Sequence, residues 1–371
     1  MRTLILALHW LAAFSFSTEV LSCDWPAWNR AKQAMLTSDG RMVDASSPQK
    51  VTTSEGQSYG LFFSLVANDP KTFAQILNWT ENNLAKGDLH RNLPAWQWGQ
   101  TPKGQWRILD PNNASDSDLW IAYSLLEAAR LWNKPQYERL GINLLWRTTA
   151  QTMRKLPGLG LMVLPGDYGF EEPEGWRLNP SYLPPQLMDR FALIDPVWEE
   201  IARNTRRLLI ETSPKGFAPD WVGWQSNQQW AADSKHGTRG SYDAIRVYLW
   251  VGMMDSKAAQ RQELVQHFAP MATRTMQENL PPEQLDTATG SSKNHGPVGF
   301  SAALLPLLSA LHQEAALNTQ KARLLEAPPA ADAYYNQMLL LFGEGWDQKR
   351  YRFDQDGRLQ PEWGNQCRTQ D

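Results

Sequence analysis

Acidic residues stand where three of the chain's most apolar helical stretches begin. Glu55 lies in TTSEGQSYG just before LFFSLVA, Asp116 and Asp118 lie in ASDSDLW at the head of IAYSLLEAARLW, and Asp243 lies in GSYDA ahead of IRVYLWVGMM. An acid at such a place ordinarily caps orphan N–H groups and complements the helix dipole. Its recurrence on separate helices allows a second use. Two carboxyl groups facing each other across a bond between sugars can cleave it, one protonating the leaving oxygen and the other activating water or attacking carbon. The proton donor must stay neutral near working pH, so it needs a poorly solvated pocket beside other negative charge. Glu55, with Tyr59 one turn further on and no basic residue adjacent in sequence, meets that description.

The aromatic content points the same way. The chain has 18 Trp, many beside Pro, Gly or polar residues instead of inside apolar runs, and an indole face is a surface on which a sugar ring stacks. Trp96 and Trp98 in LPAWQWG fall between Pro94 and Gly99 at a non-helical spacing, which predicts a loop carrying two stacking platforms. Trp120, Trp132 and Trp250 lie on apolar helices and are expected in the core, whereas Trp221 in APDWVGW is open to either reading. A net charge of −3, with Lys and Arg scattered along the chain, argues against nucleic acid as a partner. The 6 His form no H-E-x-x-H or comparable ligand pair, so neither a metal nor any other cofactor is expected. GQSYG fits the serine-hydrolase elbow G-x-S-x-G, but the polar stretch SSPQKVTTSE ahead of it is not the buried strand that motif needs.

The elements that must position these residues repeat. The segments beginning at Ser54, Ala114, Gly240 and Gly296, with a further head NPSYLPPQLMDRF at Asn179, share a polar or Gly/Pro-rich start followed by an apolar helix. They recur at a step of roughly 60 residues, too long for the common solenoid units and suited to two helices per step. Amphipathic stretches such as KTFAQILNWTENNLA and PVWEEIARNTRRLLIET lie between them and predict an outer layer around an apolar inner one. A first pair is read around WPAWNRAKQAML and a last around DAYYNQMLLLFGEGW, and the expectation is six helical hairpins that can close into an all-α ring, an α/α barrel. Short strands are expected near GLGLMVLPG and KRYRFDQDGRL. No linker divides residues 23–371, which predicts one domain.

Residues 1–22 read as a secretory signal, with Met1-Arg2, an apolar stretch too short to span a membrane comfortably, and small residues before the cut. A periplasmic or secreted protein without membrane insertion follows. The two cysteines, Cys23 and Cys367, sit at opposite ends of the mature chain and are candidates for a disulfide, with a lipidated Cys23 as the alternative.

ASDSDLWIAYSLLEAARLW, from Ala114 to Trp132, resembles the signature of glycoside hydrolase family 8, with Ser117 where Ala or Gly is usual. TTSEGQSYG, NPSYLPP, SYDAIRVY and DAYYNQMLLLFG are similar to further family segments in the same order, so the resemblance covers essentially the whole mature chain. It implies an (α/α)6 barrel of six helical hairpins that cleaves β-1,4-glucan with inversion, Glu55 being the general acid and Asp243 the general base. Asp116 would grip the sugar at the cleavage point, although another reading of the signature makes it the nucleophile. Asp118 is a candidate substrate contact beside Asp116, the alternative being that it only orients Asp116 or caps its helix. Arg246 would fix a carboxylate or join an ordinary ion pair, and Tyr182, Tyr334 and Tyr335 resemble substrate-contacting tyrosines, with core packing the competing explanation. The likeness is greatest to members that work beside bacterial cellulose synthase, which implies cellulose chains as substrate and the synthase assembly as a partner. Two alternatives stay open: a glucan-binding barrel that no longer hydrolyses, and a specialist for chitosan, lichenan or xylan.

Overall fold

Helices of two kinds alternate along the chain in the computed structural model, which describes residues 24–363. The first is α1 (Pro26–Met35). Hairpin pairs follow: α2 (Ser54–Val66) with α3 (Pro70–Leu84), α4 (Ser115–Trp132) with α5 (Pro135–Thr152), and α6 (Pro185–Ala192) with α7 (Val197–Glu211). Next come α8 (Ile245–Gly252) with α9 (Arg261–His267) and α10 (Ala269–Glu278), α11 (Val298–Ala310) with α12 (Glu314–Glu326), and lastly α13 (Tyr334–Asp347). The even-numbered helices through α8, with α11 and α13, are buried over most of their surface and form the inner ring. The rest present one apolar stripe inward and cover them.

Neighbouring inner helices touch in the order α2, α4, α6, α8, α11, α13. Phe342 of α13 closes the ring against Tyr59, Phe62 and Phe63 of α2, at centroid distances of 5.0, 5.4 and 4.7 Å. The architecture is an (α/α)6 barrel. One expectation is corrected: the first and last helices do not each begin a pair, because α1 packs outside α13 and the two make the sixth hairpin together. A closed ring leaves the outer face of α13 to be covered, and the start of the chain covers it. Trp25 lies so close to Gly345 that a Cβ there would sit 2.8 Å from the indole.

An aromatic cluster fills the axis. Trp120 meets Phe62 at 5.0 Å, Trp250 at 5.4 Å and Phe342 at 5.5 Å, and both indoles are buried as their apolar helices predict. Trp132 is half-buried and donates to Asn68. One end of the axis is shut by the hairpin of Tyr351–Phe353 and Leu359–Pro361. Tyr351 and Phe353 pack under Phe62, and the fully buried Glu127 of α4 accepts from the Leu359 N–H, Arg130 and Arg190. The opposite end stays open.

Strand pairing occurs at both predicted places, Met153–Leu156 with Gly160–Val163 and the hairpin just described. Three more sheets appear around the open end, built from strands of two to five residues. They escape sequence reading because segments so short carry no measurable alternation. We label those the argument uses. β1 (Thr52–Thr53), β2 (Gln97–Gln100) and β3 (Trp106–Asp110) form one antiparallel sheet, so Trp98 lies in a strand and not in the loop expected for it.

Close helix approach depends on glycine at two inner crossings. A Cβ at Gly343 would fall 1.8 Å from the Ala302 carbonyl oxygen, and one at Gly252 would fall 2.3 Å from the Leu307 nitrogen. Backbone cannot give way as a flexible side chain can. Gly343→Ala is expected to destabilise the fold by about 2–3 kcal/mol, at the upper end of overpacking costs, measured as a lower midpoint in urea denaturation.

Candidate active site

The open end is where the first turns of the inner helices gather. Thr53 caps α2 by accepting the Gly56 N–H at 3.0 Å, and pairing of β1 with β2 fixes the entry of the chain. Glu55 is therefore held in the first turn, its side chain 24% exposed. Its Oε2 accepts from Arg246, and the Tyr334 hydroxyl donates to Oε1 at 3.3 Å. The reading of Glu55 as a carboxylate without a basic neighbour is thus corrected. Arg246 reaches it from α8, across the ring, which no local pattern reveals.

The same guanidinium serves Asp243. Arg246 Nη2 donates to Asp243 Oδ1 at 2.6 Å and to the Ser181 hydroxyl at 3.2 Å, while Trp221 Nε1 donates to Asp243 Oδ2 at 3.0 Å. Asp243 belongs to the turn preceding α8 rather than to the helix. That turn is gathered by a residue the sequence did not single out. The buried Asp220 accepts through Oδ1 the backbone N–H groups of Ser241, Asp243 and Ala244, at 2.7, 3.1 and 2.9 Å, and through Oδ2 the side-chain Nε–H of Arg239 at 3.1 Å. Burial raises the Asp243 carboxyl above its ordinary range; Arg246 opposes that rise, and the charges of Asp220 and Glu55 add to it.

Asp116 is buried on α4 and accepts the Ser117 N–H at 2.7 Å. Burial first, then the charge of Glu55, pushes its carboxyl up to about 7 against the pull of Arg246. Asp118 is wholly buried and accepts from Asn113 Nδ2 at 2.6 Å. Asn113 in turn accepts the Asp167 N–H. Asp118 thus does not reach the groove, and the reading of it as a substrate contact is corrected: it anchors the loop ahead of its helix, and burial raises its carboxyl well above the ordinary range.

Beside the carboxylates runs a groove of about 480 Å³, lined among others by Trp96, Tyr168, Phe170, Tyr182 and Trp221. Phe170 and Trp221 lie parallel at 5.8 Å, Tyr182 meets Trp221 edge-on at 5.7 Å, and the Arg177 guanidinium stands 4.6 Å from the Trp221 ring centre. Trp221, undecided from sequence, is therefore both a wall of the groove and a ligand of Asp243. Tyr335 gives its hydroxyl to the Tyr242 carbonyl and packs against Tyr242. Of the two platforms read from LPAWQWG, only Trp96 faces the groove. Trp98 stacks on Trp106 at 5.1 Å, with Trp79 edge-on behind it. Residues 1–22 and the Cys23 and Cys367 pair lie outside the described residues.

A helical ring plugged at one end, with two carboxylates on one arginine and an aromatic trough at the other, defines a barrel built to cleave sugar chains. Comparison with known proteins narrows this. The model of glycosyl hydrolases family 8 matches residues 1–349. The chain is 50% identical over 346 residues to an endoglucanase of Salmonella typhi, covering 93% of each, and 47% identical over 367 residues to an endoglucanase of Escherichia coli K12, covering 99% of this chain and 98% of that one. The crystal structure of an endo-1,4-D-glucanase from Vibrio fischeri ES114 superposes with a TM-score of 0.87 at 46% identity, covering 92% of this chain and all of that one. The chain belongs to glycosyl hydrolase family 8.

The raised Asp116 has a consequence for stability. Its ordinary value is 3.8 and its folded value about 7, so between those limits the folded chain binds more protons than the unfolded one. The stability this group contributes is complete below the lower value and is lost as pH rises through the upper one. Asp116→Asn removes the titration. Its melting midpoint is expected to gain on that of the unmodified protein between about pH 5 and about pH 8, as read by scanning calorimetry at both.

Proposed function

We propose that the protein is an inverting endo-β-1,4-glucanase acting on cellulose chains, with Glu55 as general acid and Asp243 as general base. The observation that carries this is the bridge made by Arg246, which bonds both carboxylates from the floor of the open end. Two hydrogen bonds and one guanidinium fork place the bonded oxygens no more than about 8 Å apart. A bound of that size is compatible with the inverting arrangement of roughly 6.5–9.5 Å, and the choice of inversion over a covalent route rests on the family resemblance.

The roles follow from what each atom can reach. Oε1 of Glu55, held only by a long bond from Tyr334, is free to meet the bridging oxygen of the glucan and deliver a proton as the C–O bond breaks. Asp243, oriented by Trp221 and Arg246, takes a proton from water as that water attacks the anomeric carbon from the other face. Glu55 ends unprotonated and Asp243 protonated, and exchange with solvent resets both. Asp116, its carboxyl pushed up to about 7 by burial and by the charge of Glu55, retains a proton near neutral pH close to where one is used. Carrying it near neutral pH, Asp116 can also donate to a ring hydroxyl. Trp96, Tyr182 and Trp221 offer rings on which glucose units stack.

The relatives from Salmonella typhi and Escherichia coli described above are endoglucanases. Export to the periplasm or beyond rests on the signal-like residues 1–22, and work beside a cellulose synthase assembly rests on the sequence likeness alone. Among the described residues no helix is long and apolar enough to cross a membrane.

Glu55→Gln and Asp243→Asn should each lower turnover of carboxymethylcellulose by about 10²-fold or more with circular dichroism unchanged, and proton NMR should show the α-anomer formed first. Either variant keeping most of its rate, or a β-anomer first, would overturn the assignment. Asp220 supplies a separate test. The charged or titratable groups facing Asp243 are Arg246, Glu55, Asp220, Tyr182 and Tyr335. Asp220→Asn removes a negative charge that raises the Asp243 carboxyl, so the acid limb of the kcat/KM profile should move to lower pH. Asp220→Ala also frees three N–H groups and should cost about tenfold or more in kcat through misplacement of the base.

A further inference from the structure

One indole outside the groove is held as firmly as those inside it. Trp106 is 46% exposed, yet its inner face lies against Trp98 at 5.1 Å and 16°, and Trp98 is backed edge-on at 5.3 Å by the buried Trp79 of α3. The Arg41 guanidinium stands 4.7 Å from the Trp106 ring centre and 4.9 Å from that of Trp98. A cation over the outer face of Trp106 would be nearly twice as far from Trp98, so Arg41 grips the shared edge of the stack. The outer face of Trp106 is left open to solvent. Gln105 and Arg107 on either side of it are exposed and polar.

The placement connects this ring to the groove. Trp106 and Ile108 share one face of β3, opposite Gln100 and Trp98 of β2, and the register shift between Gln97 and Trp98 breaks the alternation before Asp110. Asp110 lines the groove and accepts the Tyr168 hydroxyl at 3.4 Å. Ile108 borders an adjoining cavity that has Asn112, Asn113 and Tyr168 in common with the groove. The way from the groove to Trp106 therefore passes through that adjoining cavity and on along the Ile108–Trp106 face, about 14 Å from Asp110 at ~3.4 Å per residue.

We propose that Trp106 is an outlying sugar-binding platform that takes one ring of a long β-1,4-glucan chain where it leaves the catalytic groove along β3. The choice of glucan rests on the glucanase reading above. A rigid, half-exposed indole presents a flat apolar face at little entropic cost on binding, the property by which aromatic rings serve as anchors.

The test uses the whole protein and phosphoric-acid-swollen cellulose. Trp106→Ala is expected to bind the polymer about three- to tenfold more weakly, in line with the loss of one stacking contact, and its turnover should fall more on the polymer than on cellotetraose. Trp106→Tyr, which keeps a ring in the stack, should bind within about twofold of the unmodified protein. Trp146→Ala, which removes the 55% exposed indole of α5, serves as the control and should leave binding unchanged. Undiminished polymer binding by Trp106→Ala would overturn the platform, as would equal losses on polymer and tetraose or an equal effect of Trp146→Ala. If the unmodified protein binds the polymer through Trp106 but hydrolyses no glucan, the platform stands and the glucanase reading falls.

Discussion

A single buried guanidinium organises the open end of this barrel. Arg246 is 7% exposed at its side chain and bonds carboxylates from opposite sides of the ring. Two anions in a half-dry pocket repel each other and favour protonation, and a fixed cation between them sets how much charge the pair retains. Without it, two carboxylates would face a poorly solvated space uncompensated, a situation that costs about 3–5 kcal/mol in comparable buried pairs. The arginine in turn needs support. Ser181 accepts from it and the Tyr182 ring lies 5.9 Å from its central carbon, so the short Pro180–Tyr182 turn is part of the same device.

Much of the remaining structure keeps that device in register. The aromatic axis and the C-terminal plug hold the inner helices from below, and glycine at the tightest crossings lets their backbones approach. From above, the small sheets set the loops. β1 delivers Glu55 to its helix start, Asp118 ties down Asn113 ahead of α4, and Asp220 gathers the turn that carries Asp243. Each catalytic candidate thus stands at the junction of a rigid helix and a loop clamped by a buried acid or a cap, which confines a carboxylate without burying it completely.

Several of these features were legible in advance for identifiable reasons. Trp120 and Trp250 declared themselves as core because they sit in unbroken apolar helices, and Glu55, Asp116 and Asp243 stood out because acids at apolar helix starts are conspicuous. Asp220 did not, since a single acid in a Pro/Gly-rich loop has no periodic signature. Arg246 was noted beside Asp243, but its hold on Glu55 is a contact across the ring. Trp96 and Trp98 looked equivalent, whereas the irregular register between Gln97 and Trp98 turns one toward the groove and the other toward α3.

The sequence by itself determined that apolar helices with polar heads alternate with amphipathic ones, that the step between them suits helical pairs, and that carboxylates sit at the heads. Those are local properties, written in residue type and spacing. Only the tertiary structure decided that α1 and α13 make one hairpin, that Arg246 joins Glu55 to Asp243, and that Asp118 is sealed from the groove. Each of these depends on which surfaces meet when the ring closes, and closure is settled by packing between segments far apart along the chain, where no short-range pattern reaches.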